Sequence, residues 1–284
     1  MKVLAYIDSS PYALSICQYA AWVATRLNIP IELIHVIEKG PDDSVSPADL
    51  SGRLGIDSRA ELMRELVALD WQRNKLKMES GRYLLEDAAG RVRSAGVAEV
   101  TTRLVHGALV DHLKDHEEEA RVLIVGKRGE GAHAAEGHLG TNLERVIRAS
   151  NRPILVAPHT FHPVNRFLFA FDGGPSAEEA VKRLANSPLL RDTPGTLVTV
   201  GSDSQKNREQ LENAASRLRA SGYTIEVELR EGDPNDVIPE MVNTEDFDLL
   251  VMGAYGHSRI RTLLIGSTTT HLLRTSTRPI VVVR

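Results

Sequence analysis

The chain has 284 residues, of which 42% are hydrophobic and 25% charged, with a formal net charge of −4 and a single cysteine, Cys17. That length gives one large or two medium domains with a real core, and one cysteine excludes an intrachain disulfide. The small negative charge gives no sign of general affinity for nucleic acid or membrane surfaces. No run approaches about 18 apolar residues, and Asp8 comes too early for a secretory apolar segment. The expectation is therefore a cytoplasmic protein without a membrane span.

Residues 3–7 (VLAYI) read as a buried strand ending at Asp8-Ser9-Ser10-Pro11. The following helix places Ala13, Ile16, Cys17, Ala20 and Ala24 on one face, which assigns Cys17 to the core. After a break at Asn28-Ile29-Pro30, residues 31–37 (IELIHVI) form a second strand. From Glu38 to about Asp57, Gly, Pro, Ser and Asp describe a loop. A long helical stretch then runs to Ser94, with Leu62, Leu66, Leu69, Leu76, Tyr83 and Leu84 read as its packing face. Gly96 ends it. A strand at 98–105 leads through Gly107 to a helix at about 109–117. A strand at 121–125 runs into Gly126-Lys127-Arg128-Gly129, Thr141 opens a helix, and 154–157 form a last strand. Strands alternating with helices specify a parallel sheet with right-handed crossovers.

The second half repeats this order. Residues 167–172 (FLFAFD) answer Val3 to Asp8, and Leu197 to Val200 answer Leu33 to Val36. Glu226 to Arg230 with Gly232 answer the strand before Gly107, and Leu249 to Gly253 answer Leu123 to Gly126. GTNLERVIRASNRPILVAP (140–158) aligns with GSTTTHLLRTSTRPIVVVR (266–284) without a gap. A fixed register of Gly, Arg-Pro and apolar positions marks a duplication. Its units are expected at 1–158 and 165–284, the first enlarged by a loop and helix at about 38–80.

In the second unit, Gly253-x2-Gly256 is followed by nine residues and then Gly266-Ser267-Thr268. Glycines let the main chain approach an anion, and a helix N-terminus adds N–H groups and a favourable dipole. Without Gly-Lys-Ser/Thr this is not a Walker loop, and it is not Gly-x-Gly-x-x-Gly either.

A first strand ending in Asp, alternating βα units and Gly-x2-Gly-x9-Gly-Ser together resemble the universal stress protein family, twice over, in tandem. The resemblance implies an α/β, Rossmann-like fold: two open, mostly parallel five-stranded sheets flanked by helices and packed as a pseudo-dimer. In the family the final strands pair, so 154–157 and 280–283 would meet within the chain; a homodimer of whole chains is a further option. It also implies a site for ATP or AMP, with or without Mg, at the carboxyl ends of the strands. Carried onto the second copy, Asp172 stands near the nucleoside and the backbone of Val200 meets the adenine. Met252, Gly253 and Gly256 line the ribose–phosphate side, His257 stands nearby, and Gly266, Ser267 and Thr268 hold phosphate. In the first copy the matching residues are Asp8, Val36, Gly126, Gly129, Gly140 and Thr141. Ten residues separate Gly129 from Gly140, Asn142 follows Thr141, and Glu130 and Glu136 lie in the loop, so this site is expected to be the weaker.

Other features of the sequence leave alternatives open. His112 and His116, at i and i+4 with Asp115 and Glu119 near, have metal-compatible spacing but equally describe a solvated helix face. No catalytic constellation stands out, so slow ATP hydrolysis or phosphotransfer is an alternative to a switch-like or structural nucleotide. A scaffold that binds a protein or lipid partner through 38–80 is another.

Overall fold

A computed structural model describes residues 1–38, 56–129, 141–255 and 265–284. The first half runs β1 (Lys2–Tyr6), α1 (Ala13–Leu27), β2 (Ile31–Ile37), α2 (Ile56–Ser94), β3 (Val100–His106), α3 (Leu109–His116), β4 (Ala120–Gly126), α4 (Thr141–Ala149) and β5 (Ile154–Ala157). The second runs β6 (Phe167–Ala170), α5 (Pro175–Ala185), β7 (Gly195–Val200), α6 (Gln205–Ala220), β8 (Ile225–Arg230), α7 (Pro234–Thr244), β9 (Leu249–Gly253), α8 (Ser267–Thr275) and β10 (Ile280–Val283).

The strands lie in one ten-stranded sheet, in the order β3-β2-β1-β4-β5-β10-β9-β6-β7-β8. Within each half every pairing is parallel. The halves meet through the antiparallel pair β5–β10, with Val281 opposite Leu155. The expected pairing of the final strands is thus what joins the two five-stranded halves into one continuous sheet. Leu155 is fully buried and Val282 nearly so, so neither strand is left as an exposed edge.

Period-two alternation sorts the core onto two faces. From β1, Val3 and Ala5 join the cluster under α1, α2, α5 and α6, while Leu4 and Tyr6 join the cluster under α3, α4, α7 and α8. Cys17 is buried in the first of these, and burial pushes its thiol up to about 11. The copies diverged by exchanging volume. Val3 pairs with Ile31 in the first, and Phe167 pairs with Gly195 in the second. A Cβ on Gly195 would lie 2.2 Å from Phe167 Cζ, so the ring fills the space a side chain would need.

The helix α2 departs from expectation. Leu69, Leu76 and Tyr83, read as packing residues, are 60%, 66% and 73% exposed. The buried stripe is Gly81, Leu85, Ala88, Ala89 and Val92. Small residues win there because the helix lies almost on the sheet: a Cβ on Gly81 would come within 2.8 Å of His35 Cδ2. Between the halves, the chain is pinned by His162 N–H donating to Tyr19 Oη (3.0 Å) and Asn165 N–H donating to Asp248 Oδ2 (2.9 Å). Among the described residues, no helix is long and apolar enough to cross a membrane.

Candidate functional site

In each half the chain leaves the central strand toward one side of the sheet and later crosses to the other. The switch falls between β6 and β9 in the second copy and between β1 and β4 in the first. Such a crevice, at the carboxyl ends of parallel strands, is where open α/β sheets receive ligands.

In the second copy, Ala170 pairs with both Val198 and Met252, which brings the ends of β6, β7 and β9 level. Asp172, Val200, Met252 and Gly253 therefore gather at one end of the sheet. Met252 is buried and Val200 half-buried, while Asp172 is exposed. Two hydrogen bonds bring α8 to the same place. Gly266 N–H donates to Ala254 O (3.3 Å), and Thr269 Oγ1 donates to Gly253 O (3.2 Å). The start of α8 is thereby seated against the turn after β9. Gly266 is its N-cap and supplies no side-chain cap, and Ser267 is exposed. A helix beginning this way offers N–H groups and hydroxyls to an anion. Gly256 and His257 lie outside the described residues.

Part of this pattern has a packing explanation. A Cβ on Gly253 would meet Ala177 N and Ser176 Cβ at 2.9 Å, and one on Gly126 would meet Tyr12 Cβ at 3.0 Å. Both glycines admit the helix that follows the first strand of their copy. The strand-end acids also make local turns: Asp172 Oδ1 accepts from Gly174 N–H (2.8 Å) and Asp8 Oδ1 from Ser10 N–H (3.1 Å).

The first copy assembles the same frame differently. Asp8, half-buried Val36, Gly126 and Gly129 gather at the ends of β1, β2 and β4, and a Cβ on Gly129 would lie 3.0 Å from Asp8 Oδ2. Thr141 is the first residue of α4. Gly140, Glu130 and Glu136 lie outside the described residues. Sequence reasoning missed Glu38. Its carboxylate accepts from Asn142 Nδ2 at 3.1 and 3.3 Å, and at 3.4 Å from Leu109 N–H, the first residue of α3. A protein carboxylate thus spans the starts of both α3 and α4. The matching position in the second copy is Ser202, and there Asp233 caps α7 through Asn235 N–H (2.8 Å). Ala108, in the place of Asp233, has no side chain able to do this.

Lys127, in the first copy's glycine turn, does not turn its side chain to that copy's crevice. Its Nζ donates instead to Arg274 O (2.6 Å) and Ser276 O (2.8 Å), at the far end of α8. Burial and the neighbouring Arg128 bring its ammonium down to about 8.

The histidine pair is held in a polar network. His112 Nδ1 meets Tyr6 Oη at 3.1 Å, the two imidazoles lie 4.5 Å apart, and His116 Nδ1 meets Glu119 Oε1 at 3.0 Å. Burial, with His116 beside it, holds His112 below its usual value. Among the described residues, no group of three or more His, Cys, Asp or Glu is placed to hold a metal.

The class this geometry defines is a tandem α/β protein, with two copies of one open-sheet unit zipped through their last strands. The profile of the universal stress protein family matches residues 1–158 and 199–284, and the chain belongs to that family. Universal stress protein Slr1230 of Synechocystis is 38% identical over 285 aligned positions, covering 100% of this chain and 99% of that protein. A universal stress protein of Mycolicibacterium smegmatis is 22% identical and covers 99% of this chain and 96% of its own length. Among solved structures, a universal stress protein from Archaeoglobus fulgidus superimposes with a TM-score of 0.72 at 19% identity. It covers 100% of this chain and 98% of that one.

Proposed function

We propose that this universal stress protein binds an adenine nucleotide, ATP or AMP, chiefly in its second copy, as a switch or structural ligand in the cytoplasm. The proposed units are 1–158 and 165–284, acting as an internal pseudo-dimer. The observation that carries this reading is the seating of α8: Gly266 N–H on Ala254 O and Thr269 Oγ1 on Gly253 O set an uncapped helix start beside the β6–β9 crevice. Phosphate would be held by the first N–H groups of α8 with Ser267 and Thr268. The nucleoside would extend toward Asp172 and the backbone of Val200. Mg would accompany the phosphates rather than be held by a protein cage.

The first copy is the weaker site in this reading. Glu38 places negative charge across the starts of α3 and α4, where it would repel phosphate. Equilibrium dialysis of the full chain against ATP tests the proposal. Binding by the wild type and its loss in Ser267→Trp support it, and equal binding by both proteins contradicts it.

A further inference from the structure

Lys127 lies within the first copy's glycine turn, Gly126-Lys127-Arg128-Gly129, yet its side chain crosses the seam. Its Nζ donates to the carbonyls of Arg274 (2.6 Å) and Ser276 (2.8 Å), and its backbone N–H is fixed on Ala157 O (3.0 Å). The antiparallel β5–β10 pair makes this reach possible, because it sets the carboxyl ends of one copy's strands beside the amino ends of the other's. Helix α8 has nine residues, about 13 Å of length. It therefore spans from the second copy's candidate site at its start to the first copy's glycine turn at its end.

The reverse arrangement is also present. Arg284, the last residue of the second copy, donates to Arg148 O near the end of α4 and lies 5.8 Å from the Tyr255 ring, in the second copy's own turn. Helix α8 begins at its own glycine turn and ends on a cation from the turn of the other copy, and α4 likewise ends on a cation tied to the other copy's turn. Lys127 and Arg284 are not equivalent by the repeat, since Ala254 and Pro158 occupy the matching positions. Two different residues have thus arrived at the same contact.

We propose that Lys127 is a positioning residue for the second copy's anion site and couples the two copies through α8. A nine-residue helix has little stability of its own. It is held at its start by Gly253 O and at its end by Lys127. An ammonium on the terminal carbonyls stabilises the helix and fixes its angle to the sheet. That angle aims the N–H groups of Ser267 and Thr268. The coupling of ligand sites rests on the nucleotide reading above; the aim of the helix start does not.

The experiment uses the full chain as wild type, Lys127→Met and Lys127→Arg, with two readouts. In the ligand-free protein, the backbone amide signals of Ser267 and Thr268 are followed by NMR. The Met variant is expected to shift them and the Arg variant to return them toward wild type, while thermal midpoints stay close. With ATP as the probe, the Met variant should bind roughly three- to fivefold more weakly, with most of the loss recovered by Arg. Amide signals unchanged in Lys127→Met overturn the inference whether or not ATP binds. Shifted signals with unchanged ATP affinity overturn the coupling. A wild type that binds no ATP contradicts the nucleotide reading alone, and the amide signals still decide the role of Lys127.

Discussion

The two copies share a frame and differ in what stands at the helix starts above it. In the second, the start of α8, with Gly266, Ser267 and Thr268, is seated against the turn after β9 by Thr269 and Gly266, and α7 is capped by its own Asp233. In the first, Ala108 cannot cap α3, and Glu38 reaches over to accept from both Leu109 and Asn142. A helix start needs an acceptor, and the two copies meet that need differently. The first caps α3 with a carboxylate that follows β2, the second caps α7 with Asp233, and α8 starts without a side-chain cap. Duplication preserved the scaffold, where packing tolerates few changes, and let the helix starts diverge.

The largest test separates the copies at their seam. Leu155 is fully buried and pairs with Val281. Leu155→Asp would bury a charge without a partner and should cost roughly 4 kcal/mol or more in urea unfolding. Unfolding of the variant at wild-type denaturant concentration would show that the halves do not depend on the shared sheet.

A smaller effect is expected at the Phe167–Gly195 exchange. Gly195→Ala presses a methyl group into the Phe167 ring and should cost about 1–3 kcal/mol. Giving the second copy the first copy's pair, Phe167→Val with Gly195→Ile, should cost much less than the sum of those two single changes, a non-additive result measurable by the same unfolding curves. Simple additivity would mean that the two positions do not compensate one another.

The smallest effect concerns acid. Burial raises the Glu32 carboxyl, but Lys2 (2.7 Å) and Arg103 (2.5 Å) outweigh it and hold the group below 4.5. A depressed carboxylate contributes stability that is complete above its unfolded value and lost as pH falls through its folded one. The second copy has Thr196 in this place. Glu32→Gln should therefore flatten the loss of stability below pH 4.5. A slope would remain from Glu119, which His116 and Lys2 hold down to about 2. An unchanged acid limb would remove Glu32 from the account.

Much of this was legible in the sequence. Apolar runs ending in Asp or Gly, repeated in register, give the alternating strands and helices and the duplication, because such patterns are local; the seam through 154–157 and 280–283 followed only from the resemblance to the family. The packing face of α2 was not legible. Leucines at helical spacing suggested Leu69, Leu76 and Tyr83, whereas the sheet takes the Gly and Ala stripe, which signals close approach rather than hydrophobicity. Glu38 and Lys127 were also hidden as partners. Their acceptors and donors lie 104 and 149 residues away in sequence, and only the folded crossovers bring them together.

In the proposed function one nucleotide binds, in the second copy. Calorimetric titration of ATP into the wild type, Ser267→Trp and Thr141→Trp tests it most directly. Close to one equivalent is expected for the wild type, abolished by Ser267→Trp and retained by Thr141→Trp. Binding that survives Ser267→Trp and disappears with Thr141→Trp would contradict it.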